Sequence, residues 1–172
     1  TDQLSALDRR FGEFIAGFSP APDPHVALAA ALVSRAAGRG DACLELSDVD
    51  APNGTGVPDA RRWIEAVAQS PAVGRPGQKR PLILDGSGRL YLYRYWEYED
   101  RLARDLRARA ERQTEVDPQR LDALVRAVFD RMAGGPDEGQ CAAAAAAAQR
   151  GVTVVTGGPG SGKTYTISAI LD

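Results

Sequence analysis

Val152-Thr153-Val154-Val155-Thr156-Gly157-Gly158-Pro159-Gly160-Ser161-Gly162-Lys163-Thr164 is the stretch that decides how this chain is read. Its first five residues all favour strand and form an uninterrupted run, the pattern of a buried central strand in a parallel sheet. Residues 164–171 follow with Ile167, Ile170 and Leu171 as apolar positions and predict the start of a helix. Between strand and helix, Gly157 to Thr164 fits G-x-x-x-x-G-K-[ST] in full. Glycines at these positions let successive backbone N–H groups turn toward one centre, and the helix N-terminus behind them adds unpaired donors and partial positive charge. In that cradle Lys163 is expected to reach the β- and γ-phosphates of ATP, with the Thr164 hydroxyl completing a Mg²⁺ shell. The bland alternative is a glycine-rich strand-to-helix turn that binds nothing, but no fold requires a lysine and a hydroxyl at these two places.

Working upstream, Asp137 is placed to cap a helix holding Gln140, Cys141 and the seven alanines Ala142 to Ala148, ended by Arg150-Gly151. Gln140 lies one helix and one strand before the loop. Its amide offers both a donor and an acceptor, which suits the edge of adenine, although a surface glutamine at a helix start is the commoner case. Before it, Asp117-Pro118 is a strong helix start, and Leu121, Leu124, Val125, Val128, Phe129 and Met132 form an apolar set. Gly134-Gly135-Pro136 breaks that pattern and is taken as the domain boundary: residues 1–135 form one domain and 136–172 the beginning of another.

The first 135 residues read as mostly helical with one hairpin. Leu4, Leu7, Phe11, Phe14, Ile15 and Phe18 recur at helical spacing, and a second helix carries Val26, Leu28, Ala29, Leu32, Val33 and Ala36 before Gly38 and Gly40. These two stripes are expected to pack together. Cys43, Leu44 and Leu46 form a short apolar piece before a loop over 50–57. Asp59 is placed to cap a helix burying Trp63, Ile64 and Val67, and residues 70–81 read as a turn-rich connection. Leu82-Ile83-Leu84 and Leu90-Tyr91-Leu92-Tyr93 flank Asp85-Gly86-Ser87-Gly88 and predict a hairpin. Strand alternation then sets Tyr91, Tyr93 and Tyr95 on one face, which is expected to pack on a helix or a partner rather than to stack on bases. A charged helix is predicted over 97–112, with five arginines and the thin stripe Leu102, Ala103, Leu106 and Ala110.

Composition narrows the classes further. The chain has 172 residues, 44% hydrophobic and 26% charged, with 21 basic against 23 acidic residues and a net charge of −2. That is globular composition without the polycation of a general nucleic-acid binder. Cys43 and Cys141 lack any ligand or disulfide pattern, which fits a reducing, cytoplasmic setting, and no apolar run is long enough to span a membrane.

The strand–loop stretch from Val152 to Thr164 resembles motif I of superfamily 1 DNA helicases, and the glutamine-then-alanine helix at Gln140 resembles the Q motif that precedes it. Residues 28–34 and 40–46, and the hairpin from Pro81-Leu82-Ile83-Leu84-Asp85 to Leu90-Tyr91-Leu92-Tyr93-Arg94-Tyr95-Trp96, resemble the N-terminal domain of the RecD family of helicase subunits. The resemblance covers roughly residues 4 to 172. It implies an α/β chain, with a mostly helical N-terminal accessory domain followed by the truncated start of a P-loop (RecA-like) helicase domain. It also implies ATP-dependent 5′-to-3′ DNA unwinding within exodeoxyribonuclease V, alongside RecB- and RecC-like subunits, in double-strand break repair and recombination. Under it, Gln140 reads adenine. The cradle is Gly157, Gly158, Pro159, Gly160, Ser161, Gly162, Lys163 and Thr164, with Lys163 and Thr164 acting on phosphate and Mg²⁺. Residues before about 135 dock on a RecC-like subunit, and single-stranded DNA is gripped by later parts of the parent protein. Tyr165 departs from the small threonine more usual in relatives and is expected to change packing only.

A loop of this kind does not hydrolyse ATP by itself, since transfer also needs an acid at another strand end and usually an arginine. After Lys163 the only acid is Asp172, so the polypeptide reads as a piece of a motor that is inactive alone. Two other readings stay open at this point: a different P-loop enzyme such as a nucleotide or small-molecule kinase, and a docking module that only binds a partner.

Overall fold

Ser5 opens the first helix in a reciprocal cap. In the computed structural model, which describes residues 4–49, 59–131 and 137–171, the Asp8 N–H donates to Ser5 Oγ (3.1 Å) and the Ser5 N–H to Asp8 Oδ2 (2.9 Å). The expected loop over 50–57, Met132, the Gly134-Gly135-Pro136 break and Asp172 lie outside the described residues. The chain divides into two units, Thr1–Asp100 and Arg101–Asp172.

In the first unit, α1 (Ala6–Ala16) and α2 (Pro24–Arg39) pack face to face. Asp23 and Pro24 start α2, and Gly40, at φ 96°, ends it in the left-handed conformation that favours glycine. Gly12 is the residue that lets the two helices meet so closely: a Cβ there would run into the Ala27 carbonyl and lie 3.2 Å from Ala31 Cβ. The buried face of α1 is not the expected stripe. Ile15 is buried and Leu4 and Phe11 pack on the core, but Leu7 (74%), Phe14 (62%) and Phe18 (44%) are exposed. At 100° per residue, positions 11 and 15 of α1 form one stripe and 7 and 14 another about 70° away. The helix buries the first, on the side where Gly12 and Asp8 face α2.

Asp8 is buried, and its carboxylate accepts from Ser5 Oγ (2.6 Å) and Ser34 Oγ (2.7 Å), which ties the first turn of α1 to α2. The Ser5 hydroxyl, aided by Ser34 and the Ser5 N–H, holds its pKa below the ordinary carboxylate value against the opposing effect of burial. The spacing Ser5-Ala6-Leu7-Asp8 carries the capping-box signal in the sequence.

A four-stranded sheet covers α2, in the order β1 (Leu44–Glu45), β4 (Arg89–Leu92), β3 (Leu82–Leu84), β2 (Val73–Gly74). The β3–β4 hairpin forms as expected, with Leu82 opposite Leu92 and Leu84 opposite Leu90. Asp85 holds its turn by accepting from the N–H groups of Ser87 and Arg89 and from the Arg89 guanidinium at 2.8 Å. β2 adds parallel to β3 inside the stretch expected to be only turns; two residues are too few for periodicity to reveal. On α3 (Ala60–Ala68), Trp63 and Val67 are buried and the Trp63 indole donates to the His25 carbonyl (2.9 Å). Asp59 stands at the cap position, but its side chain makes no capping hydrogen bond.

The second strand of the hairpin stops sooner than expected. Tyr93 is the first residue of α4 (Tyr93–Ala110), not the end of a strand, so Tyr91, Tyr93 and Tyr95 do not share a strand face. Tyr91 is buried on β4, where burial and the neighbouring Cys43 push its pKa up to about 12. The break follows Leu92, whose partner Leu82 begins β3; the Tyr93 N–H then bonds the Pro81 carbonyl (3.0 Å). No residue of α4 is buried, and its Leu102 and Leu106 are exposed. The division between units falls within this helix.

The second unit is built on α5 (Pro118–Arg131), α6 (Glu138–Gln149) and α7 (Lys163–Leu171). Leu121, Val125 and Phe129 of α5 are buried with Ala144 and Ala169. α5 begins as expected, with Asp117 accepting from the Gln119 and Arg120 N–H groups. Across the boundary expected at 134–136, α5 shares a core with α6 and α7. Residues 152–156 pair with no strand among the described residues, contrary to expectation, and Val154 is 79% exposed. Strand propensity needs neighbouring edges to bond, and here none is alongside. The segment is held instead by Thr153 Oγ1, which donates to the Ala146 carbonyl at 3.2 Å.

Replacing Asp8 tests the α1–α2 tie. Asp8→Ala leaves the Ser34 hydroxyl and the cap without their acceptor, and urea unfolding followed by tryptophan fluorescence is expected to show a loss of about 2 kcal/mol at neutral pH. Because the folded pKa is lowered, this contribution is complete above the unfolded value of about 3.9 and is lost as pH falls through the folded one. The variant should therefore lack part of the wild-type decline below about pH 4; an identical acid limb would show that Asp8 is not held in this way.

Candidate functional site

The loop after Thr156 curls because two of its glycines take backbone angles that side chains disfavour. Gly160 has φ 77° and Gly162 φ 73°. The Ser161 N–H donates to the Gly158 carbonyl at 3.3 Å, and a Cβ on Gly157 would run into Ser161 Oγ. The turn thus doubles back on itself and delivers the chain into α7 at Lys163.

Lys163 closes it. Its Nζ donates to the carbonyls of Gly157 and Gly158, both at 2.7 Å, and lies 3.4 Å from Ser161 Oγ. The opening N–H groups of α7 have no partner within the helix. Thr166 anchors the first turn: its N–H (2.9 Å) and its hydroxyl (3.1 Å) both donate to the Gly162 carbonyl, and the residue is buried.

Gln140 is brought to the same place. The Asp137 carboxylate accepts from its N–H (3.0 Å) and so fixes the start of α6. From there the Gln140 amide reaches Gly162, where a Cβ would stand 2.6 Å from its Nε2. A cleft of about 360 Å³ opens between α6 and the loop, lined by Gln140, Ala143, Val155, Ser161, Lys163 and Thr166 among others. That volume lies in the range of small-molecule sites. Of the residues expected from sequence, Gln140, Ser161 and Lys163 line this cleft, and Gly157, Gly158, Gly160 and Gly162 shape the loop beside it. Pro159 is exposed within the turn, and Thr164 is exposed at the start of α7, outside the lining. Among the described residues no three His, Cys, Asp or Glu side chains gather as a metal site.

Among the cleft residues that were not expected are two with side-chain roles, Asp137 and Thr166. Asp137 lines it as well as capping α6. Thr166 does so from four residues past Gly162, a spacing that sets its hydroxyl back onto the glycine carbonyl. Tyr165, between the two threonines, turns the other way. Its ring packs on Phe129 with centroids 5.9 Å apart, and its buried hydroxyl has no hydrogen-bond partner among the described residues.

Residues 1–91 match the family model "RecBCD enzyme subunit RecD, N-terminal domain", and residues 140–172 match an AAA domain model. The chain belongs to the RecD family. It is 34% identical over 98% of its length to the RecBCD enzyme subunit RecD of Mycolicibacterium smegmatis, and 33% identical over 98% to that of Mycobacterium tuberculosis. It spans 29% and 28% of those two proteins. This RecD-family chain is therefore a mostly helical domain with a small mixed sheet, followed by the start of an AAA, P-loop-type domain. None of its described helices is long and apolar enough to cross a membrane.

Gly162 carries two demands at once, a left-handed backbone and room for Gln140. Gly162→Ala is expected to destabilise the loop and α7 by about 1–2 kcal/mol from backbone strain alone, read as a roughly 5- to 30-fold loss of amide-exchange protection along α7. Adding Gln140→Ala should relieve the side-chain clash but not the strain. Full recovery in the double variant would mean that φ at 162 is unimportant.

Proposed function

We propose that residues 137–166 are the nucleotide end of an ATP-dependent 5′-to-3′ DNA helicase subunit, and that Lys163, Thr164 and Gln140 serve ATP and Mg²⁺ there. The observation that carries this reading is the convergence of the Lys163 ammonium and the Gln140 amide on one glycine turn at the start of a helix. The residues fit the group. A lysine that satisfies two backbone carbonyls can exchange them for phosphate oxygens, which are stronger acceptors for an ammonium. Gly157, Gly158, Gly160, Ser161 and Gly162, with the flanking Pro159, form the turn around it. The exposed Thr164 hydroxyl is free of the cleft wall and available to a cation carried in with the phosphates. Gln140 offers a donor and an acceptor to a base edge. When bound, Mg²⁺ would neutralise charge on the phosphate oxygens.

On this reading the division at 135 separates roles. Residues 136–172 begin the motor, while 1–135 are an accessory domain that docks on a RecC-like subunit within a heterotrimer that includes a RecB-like one. The parent protein would work in the cytoplasm on single-stranded DNA, in double-strand break repair. The kinase alternative is less well supported, because residues 1–91 match a domain of RecD.

In the full-length protein, assembled with its RecB- and RecC-like subunits, Lys163→Ala is expected to lower DNA-dependent ATP hydrolysis by at least about a hundredfold. Co-purification with the partners should be unaffected. Normal turnover by that variant would remove Lys163 from its assigned role.

A further inference from the structure

Between Glu65 and Asp85 the chain has three cationic residues, Arg75, Lys79 and Arg80, and no acid. All three stand in the connection between β2 and β3, where residues 75–80 are exposed throughout. None of them forms an ion pair among the described residues, whereas Arg10, Arg89 and Arg126 each pair with a neighbouring carboxylate. Surface cations left unpaired together cost electrostatic repulsion that a nearby acid would relieve.

The connection is also held in shape. The Gln78 N–H donates to the Arg75 carbonyl (2.9 Å), and the Arg75 N–H donates back to Gln78 Oε1 (2.9 Å). Pro76 and Gly77 stand at the corner, with Gly77 at φ 89°, the pairing that a type II turn requires. The stems of Gln78 and Arg80 lie against Gly74, where a Cβ would stand 2.8 Å from Arg80 Cγ. Beside this turn is a cleft of about 490 Å³, with Ile64, Ala68, Val73 and Leu84 as apolar lining and Arg75 at its rim. Asp85, also in the lining, is neutralised by the Arg89 guanidinium at 2.7 Å.

We propose that the β2–β3 turn of the N-terminal unit is a contact for single-stranded nucleic acid, with Arg75, Lys79 and Arg80 on the phosphates and the adjoining cleft receiving a base. The exposed residues of the turn include no large apolar anchor of the kind on which protein interfaces centre, which favours a polyanion over a protein partner. A basic rim beside an apolar cleft suits a strand whose bases are free, because a duplex hides them. This inference rests on the helicase reading only for why a single strand would be near the N-terminal unit.

The test is fluorescence anisotropy of the 172-residue chain with a labelled oligothymidylate of about 20 nucleotides, from about 50 to 200 mM salt and without nucleotide. Three phosphate contacts predict that the triple variant Arg75→Gln, Lys79→Gln, Arg80→Gln loses about 2 units from the log–log salt slope and at least about tenfold in affinity at the lowest salt. Arg75→Gln with Lys79→Gln, which leaves the Arg80 stem on Gly74, should lose about two-thirds of that slope; circular dichroism checks that each variant is folded. An unchanged affinity would overturn the proposal, as would an equal loss on neutralising Arg101, Arg107 and Arg109 of α4. Equal affinity for a duplex, or for polyglutamate of matched charge, would overturn it in favour of generic polyanion or protein binding. Since no nucleotide is present, the result does not depend on the role given to Lys163.

Discussion

A lysine ammonium bonded to two backbone carbonyls holds the glycine turn of the second unit together. Gly160 and Gly162, both in the left-handed region, turn the chain so that the Gly157 and Gly158 carbonyls both meet the Lys163 ammonium. Lys163 satisfies both at 2.7 Å and in doing so sets where α7 begins. Gly162, the residue before α7, lies against the Gln140 amide beside the cleft.

The first unit depends on closeness of a different kind. Gly12 removes one side chain from the α1–α2 crossing, and the buried Asp8 joins the two helices through Ser5 and Ser34. Together they decide which of two apolar stripes on α1 faces inward. The pair then forms the platform on which Trp63 and the sheet residues Leu82 and Leu90 close the core. Because the sheet is small, its connections stand out from it, and the β2–β3 turn carries its unpaired cations on a short, internally bonded corner rather than a slack loop.

The two units differ in how they use backbone hydrogen bonding. In the first, β4 satisfies both of its edges, with β1 on one side and β3 on the other, and then passes at Tyr93 directly into a helix. In the second, Val152 to Thr156 has strand-forming side chains and no strand beside it among the described residues, and Thr153 ties it to α6. The bridge between Gln113 and Arg150 does a similar service at the end of α6.

Features that depend on a few adjacent residues were legible in the sequence. The caps at Asp117 and Asp137, the Gly40 stop, the β3–β4 hairpin and the glycine turn with Lys163 all arise from residues acting on backbone within about four positions, and such rules travel with the sequence. Asp59 shows their edge: the right residue stands in the right place without making the bond. What waited on the tertiary structure was every choice between equivalent local options. Leu7, Phe14 and Phe18 are as apolar as Leu4, Phe11 and Ile15, and only the partner helix decided between them. Tyr93 alternates correctly for a strand, yet continues as helix once the sheet has no further register to offer. Gln140 and Thr166 became part of one cleft because α6 and α7 pack side by side, and no spacing along the chain encodes that distance.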